Sequence, residues 1–206
     1  MSSGRFELGL GAGGFWDAVG GMGGPHRTGR EAADALDEAI PIIRGTLDVG
    51  PERRVVSGPG PHYPVPGYPP GPPPAHRVEI WIGAYRPRGM RLIGRVADGW
   101  VPSMGRVSLD ALRSSSARID EAALAAGRQP AAIRRIYNIG GLITDRPGGE
   151  GVLVGPVGQW VETLIEWADD PGIDDFIFWP AADELVQVER FASEVAPAVR
   201  VALGAR

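Results

Sequence analysis

The sequence contains no cysteine and no lysine among its 206 residues. Without cysteine there is no disulfide framework, thiol nucleophile, cysteine zinc site or iron–sulfur cluster. Without lysine there is no Schiff base and no phosphate-loop lysine. All 21 basic residues are arginines, and against 25 acidic residues they leave a net charge of -4. That mild acidity gives no reason to expect nucleic-acid binding. The three imidazoles, His26, His62 and His76, are not at helical ligand spacing, so no metal site is expected. No apolar run approaches the ~18 residues of a membrane-spanning helix, and Met1 to Arg5 lead straight into polar, glycine-rich sequence rather than a signal peptide. The expectation is a soluble cytoplasmic protein.

Glycine and proline are abundant, 31 and 20 residues. A quarter of the chain in these two types borders on low complexity, whereas 43% hydrophobic residues is enough for a core. Their distribution decides between the two. Residues 1–29 hold ten glycines, and residues 57–76 hold nine prolines and four glycines. The remainder is near ordinary usage, so the sequence reads as globular with one glycine-rich loop and one proline-rich surface connector, extended and polyproline-like.

Between these loops, short strands alternate with helices. Strands are predicted at Arg5–Leu10, Val78–Ala84, Asp98–Pro102, Ile133–Thr144 and Asp175–Trp179. Helical periodicity is predicted over Arg30–Leu47, with Pro41 expected to kink or break it, and over Met90–Val96. Ser108 is placed to cap a helix ending at Gly127, and Pro156 to open one with Trp160, Leu164 and Trp167 on one stripe. A last helix, Asp183–Leu203, is expected to turn Leu185, Val188, Phe191 and Val195 inward. Strand–helix alternation predicts an α/β fold with a parallel sheet covered by helices, and the run Phe176–Trp179 predicts a strand buried on both faces.

Two clusters could carry chemistry. Gly9, Gly11 and Gly14 spell the G-x-G-x-x-G of a dinucleotide-binding turn, which makes an NAD-binding Rossmann module one reading. No helix is expected before Arg30, however, and that fingerprint needs one at the turn. A strand end where a flat ligand meets bare backbone fits better. In the second cluster a strand ends in Gly83 and Ala84, and Tyr85 and Arg86 then precede a helix. Loop amides, a helix N-terminus and guanidinium groups together can bind phosphate. Arg106, in the loop after the next strand, could join an anion site or be a surface charge. The paired carboxylates Asp169-Asp170 and Asp174-Asp175 read as solvated caps, and the histidines as loop residues.

These segments, RFELGLGAG, HYPVPG, IWIGAYRPRGMRLIGRVADGW, AAGRQPAAIRRIYN and FIFWP, in this order, resemble the bacterial luciferase-like monooxygenase superfamily, in particular its flavin- or deazaflavin-dependent oxidoreductases. The resemblance covers nearly the whole sequence. It implies a TIM (β/α)8 barrel whose cofactor, FMN or the deazaflavin coenzyme F-420, sits at the C-terminal strand ends beside a small organic substrate. Many members are homodimers. Carried over residue by residue, Gly11, Ala12 and Gly13 match the strand end against the cofactor ring. Gly83, Ala84, Tyr85 and Arg86 match the phosphate loop, Arg106 a basic residue on the cofactor phosphate, and Trp179 a pocket-lining strand end. Trp100 is expected in the core.

The departures are specific. RFELGLGAG corresponds to the family's fourth strand, so residues 1–206 are expected to form a single luciferase-like domain of about the last five strand–helix units. Three units, on the order of 90 residues at ~30 each, would be absent, and with them a histidine that is catalytic in several members. Gly14 stands where some deazaflavin enzymes place an acidic glutamate, and Tyr85-Arg86 replaces a usual Gly-Gly. No catalytic residue is identified. A non-catalytic remnant, or half of a split barrel, is the alternative to an oxidoreductase.

Overall fold

The computed structural model describes residues 4–52, 54–148 and 153–204. They divide into two compact units: residues 1–100 with 118–133, and residues 101–117 with 134–206.

In the N-terminal unit, β1 (Leu8–Gly11), β4 (Ile80–Gly83) and β5 (Gly99–Trp100) pair in parallel in that order. Between β1 and β4 come α1 (Trp16–Gly21), α2 (Gly29–Leu47) and an antiparallel pair, β2 (Val56–Gly58) with β3 (Val65–Tyr68). The helix α3 (Pro87–Val96) connects β4 to β5. Thr28 starts α2 with a capping box, its hydroxyl accepting from the Glu31 N–H while the Glu31 carboxylate accepts from the Thr28 N–H. Ala32, Ala35, Leu36 and Ile40 are buried, as helical periodicity requires.

Pro41 does not break α2, which runs through it. The proline lies on an exposed face, where water can take the carbonyl that its missing N–H leaves unbonded. The proline-rich segment is likewise more than a connector. Its first half contributes to the β2–β3 pair, and the Glu38 carboxylate accepts from the N–H groups of His62 (3.1 Å) and Tyr63 (2.5 Å). Those backbone bonds fasten it to α2. The short helix α1, unexpected from sequence, has no buried residue, so it does not supply the sheet-packed helix that a Rossmann turn requires.

A buried ionic knot sets the strand starts. Asp98 accepts from the Ile80 N–H (2.9 Å), from Arg77 (2.8 Å) and from Arg44, which also donates to the Val78 carbonyl (2.8 Å). Burial by itself would push the Asp98 carboxyl up; the Ile80 N–H and the two guanidiniums outweigh it and hold the group below its ordinary range.

In the C-terminal unit, β6 (Arg134–Ile143) pairs in parallel with β7 (Leu153–Gly155) and with β8 (Asp175–Pro180). The helix α5 (Val157–Asp169) buries Trp160 and Leu164. The Trp160 ring meets Phe178 edge-on at 5.2 Å, and Phe178 stacks on Phe191 at 4.6 Å. The helix α4 (Leu109–Ala125) starts at Ser108, whose hydroxyl accepts from the Ala111 N–H.

Here the structure corrects three expectations. The strand β8 is not buried on both faces: its residues are half-buried and Trp179 is 63% exposed. The last helix divides into α6 (Glu184–Arg190), a wider π-type turn (Phe191–Val195) and α7 (Ala196–Gly204). Within it Leu185 and Val188 are exposed, while Gln187, Val195 and Val199 turn inward. The carboxylates are partnered rather than simply solvated. Asp170 forms a two-pronged pair with Arg113 (2.7 and 2.8 Å), Asp174 accepts from the Arg135 N–H (2.7 Å), and Asp175 pairs with Arg134 (2.5 Å).

Candidate functional site

The N-terminal unit presents its candidate residues at the C-terminal ends of β1 and β4. Gly11 and Gly83 are paired in register, and nothing but the Gly83 carbonyl lies within 4 Å of where a Gly11 side chain would begin. Two adjacent strands therefore end in bare backbone, open to a planar ligand. Ala12 follows, half-buried. Gly13 has φ of +96° and lies under the Trp16 ring, which a Cβ would approach to 2.9 Å. Glycine is required there by conformation and by space. Trp16 in turn tilts against His26, 5.6 Å between ring centres.

The loop after β4 is held from below. The buried Trp100 donates its Nε1–H to the Ala84 carbonyl at 2.9 Å, so the expected core role of Trp100 includes fixing this loop. Gly89 faces the Ala84 methyl so closely that a Cβ would lie 2.5 Å away. Above this base, Tyr85 is 42% exposed and Arg86, at the N-cap of α3, is exposed. Arg86 has no ion-pair partner among the described residues. A free guanidinium at the first turn of a ten-residue helix is a suitable anion binder.

The C-terminal unit holds a cleft of about 520 Å³ lined by Ser103, Met104, Gly105, Asn138, Gly140 and Trp179, with Ile139, Gly141 and Ala181 completing it. Hydrogen bonds shape its walls. The Asn138 N–H donates to the Pro102 carbonyl (2.9 Å), the Met104 N–H to the Asn138 carbonyl (2.8 Å), and Asn138 Nδ2 to Ser103 Oγ (3.1 Å). The exposed Trp179 side chain at the end of β8 is one of these lining residues. Arg106 follows Gly105 directly, exposed and without an ion-pair partner among the described residues, but it is not part of the lining.

Sequence reasoning missed Ser103, Met104 and Asn138. Its one available signal was the pair of glycines inside a strand. Those two differ in role. A Cβ on Gly141 would lie 2.0 Å from the Leu153 carbonyl and 2.7 Å from Trp160, so that glycine allows β7 and α5 to pack. A Cβ on Gly140 would meet only the Trp179 carbonyl, at 3.7 Å, so this glycine keeps the cleft open. Among the described residues, no group of three or more His, Cys, Asp or Glu could hold a metal. Nor is any helix among them long and apolar enough to cross a membrane.

The family model for luciferase-like monooxygenases matches residues 1–147, and the chain belongs to that family. Solved structures agree on the fold. An F420-dependent secondary alcohol dehydrogenase, solved with an F420-acetone adduct, superposes with a TM-score of 0.79 at 16% identity, covering 96% of this chain and 70% of the dehydrogenase. An F420-dependent tetrahydromethanopterin reductase from Methanopyrus kandleri gives 0.76 at 16% identity, over 95% of this chain and 75% of the reductase. EDTA monooxygenase from Chelativorans sp. BNC1 gives 0.75 at 13% identity, over 97% of this chain and 75% of the monooxygenase. No curated protein matches by sequence. The fold is thus a mainly parallel α/β arrangement corresponding to part of a luciferase-like TIM barrel.

Proposed function

We propose that the protein is a flavin- or deazaflavin-dependent oxidoreductase or monooxygenase acting on a small organic substrate, with FMN or coenzyme F-420 as cofactor. The observation that carries this reading is the cleft at Gly140, Asn138 and Trp179, open where a side chain on Gly140 would otherwise stand. Its chemistry suits an aromatic heterocycle: an exposed indole for stacking, a methionine, and the Asn138 amide with the Ser103 hydroxyl as oriented polar groups.

The binding roles follow from each unit separately. In the C-terminal unit, Trp179 would stack on a planar ring and Arg106, beside the cleft, would offer an unpaired guanidinium to a phosphate. In the N-terminal unit, the bare backbone at Gly11, Ala12, Gly13 and Gly83 accepts a ring face, and Ala84, Tyr85 and Arg86 offer amide and guanidinium donors to an anion. When bound, the cofactor supplies the redox equivalents, and the chain's own contribution is binding, orientation and exclusion of water. Trp100 serves that end indirectly by fixing the Ala84 peptide.

The support beyond geometry is membership of a luciferase-like family and structural neighbours described as F420-dependent enzymes or monooxygenases. The test is a fluorescence titration of the full chain with FMN and with coenzyme F-420. Saturable binding of one of them supports the reading, and absence of binding of both by folded protein removes it. Residues 1–206 are proposed to act as one luciferase-like domain, and pairing of two copies is checked by sedimentation in the same experiments.

A further inference from the structure

A second concave surface lies in the N-terminal unit, away from the strand ends. The C-terminal part of α4 packs on α3 at Gly94, where an added Cβ would lie 2.6 Å from both the Ala122 methyl and the Ile119 carbonyl. Beside this contact runs a groove of about 680 Å³, lined by Pro87, Arg91, Arg95, Arg118 and Glu121, with a floor of Ala122, Ala125 and Ala126. Arg128 makes the groove rigid by donating to the carbonyls of Gly94 (2.8 Å) and Ala97 (2.7 Å) at the end of α3.

The charges are unevenly satisfied. Arg95 is held by Asp37 at 2.5 Å. Arg91 and Arg118, on the two helices bordering the groove, are exposed and have no ion-pair partner among the described residues. Set against the single carboxylate of Glu121, the two free guanidiniums leave the groove a modest local excess of positive charge on a chain whose net charge is -4. Such a reversal of sign marks a recognition surface rather than a solubilising one.

We infer that this groove binds an extended acidic peptide segment of a partner protein, with carboxylates spaced along the strand to meet Arg91 and Arg118. The alanine floor and Pro87 accept the aliphatic stems of glutamate side chains. A dense polyphosphate or nucleic acid fits less well, because the Glu121 carboxylate in the same groove repels closely spaced anionic charge, whereas carboxylates spaced along a peptide can straddle it. This inference stands apart from the cofactor reading, since none of these residues belongs to the proposed cofactor set.

The experiment is calorimetric titration of the full chain with a capped hexaglutamate peptide, at about 50 mM and about 300 mM salt, spanning strong and weak screening. Saturable binding that weakens with salt is expected. Arg91→Glu with Arg118→Glu should weaken it roughly tenfold or more, and the milder pair Arg91→Gln with Arg118→Gln should weaken it in the same direction if charge reversal harms folding. A hexalysine peptide should not bind. Absence of saturable hexaglutamate binding, unchanged affinity in both double variants, or equal binding of inorganic polyphosphate would overturn the inference. Flavin titration of the same samples reads the other site independently.

Discussion

The buried amide of Gln187 holds the backbone of Ile143 by both of its polar groups: Oε1 accepts from the Ile143 N–H at 2.7 Å and Nε2 donates to the Ile143 carbonyl at 3.1 Å. A side chain from α6 here does what a neighbouring strand would do for the last residue of β6. Arg190 adds a second donor to the same carbonyl at 3.1 Å, so the N–H depends more on Gln187 than the carbonyl does. Gln187→Ala should therefore cost about 1–3 kcal/mol, the range for leaving one buried donor unsatisfied. Urea denaturation measures it, and a change within experimental error would show that the contact contributes nothing.

The two adjacent glycines of β6 should respond oppositely to substitution. Gly141→Ala places a methyl against the Leu153 carbonyl and Trp160, and overpacking of this kind costs about 1–3 kcal/mol or more. Gly140→Val should leave the melting temperature nearly unchanged and abolish cofactor binding by filling the cleft. Thermal melts with and without FMN or coenzyme F-420 separate the two effects.

The knot around Asp98 predicts an acid dependence. Its carboxyl is held below the ordinary value of 3.8 in the folded chain. The stability it lends is therefore fully present above the unfolded-state value and is lost as pH falls through the lower, folded one. Asp98→Asn should cost roughly 2–4 kcal/mol near neutral pH, because Arg44 loses its charged partner in a mostly buried place. It should also flatten the fall in stability below about pH 4. Chemical denaturation of both proteins across that range checks the sign, and a variant that keeps the full acid dependence would contradict this account.

The proposed role of Arg106 is to hold a phosphate, which makes its test selective. Arg106→Ala should weaken FMN about tenfold, in keeping with one lost charge-assisted contact of ~1.5 kcal/mol. Riboflavin, which has no phosphate, should bind both proteins equally. Equal weakening of both ligands would mean that the residue shapes the loop instead.

Much of the fold is legible in the sequence because its signals are local. Ser108, Gly127 and Pro156 mark helix boundaries through side-chain caps and backbone preferences, whereas α3 starts at Pro87, three residues before the expected Met90. The β-rich runs before Gly83 and Ile143 mark strands. What remained hidden depends on distant partners. β7 is only Leu153–Gly155, and its pairing with β6 needs a glycine at 141 that periodicity cannot distinguish from its neighbour. Leu185 and Val188 have the spacing of a core stripe, yet Gln187 is the buried residue, because backbone groups at Ile143 need its amide more than the core needs another leucine. The proline-rich stretch reads as a connector until Glu38 and the β2–β3 pair are seen to anchor it. For the candidate site, Trp179 was visible as a strand-ending aromatic, whereas Ser103 and Asn138 become cleft residues only through their mutual hydrogen bond.

The central claim is that this chain binds a flavin-type cofactor, and it is tested most directly by equilibrium fluorescence titration of the purified 206-residue protein with FMN and coenzyme F-420 in parallel. The account predicts saturable binding of at least one of them, with a dissociation constant on the order of micromolar, abolished by Gly140→Val. Failure of both ligands to bind, with circular dichroism showing a folded α/β protein, would contradict it.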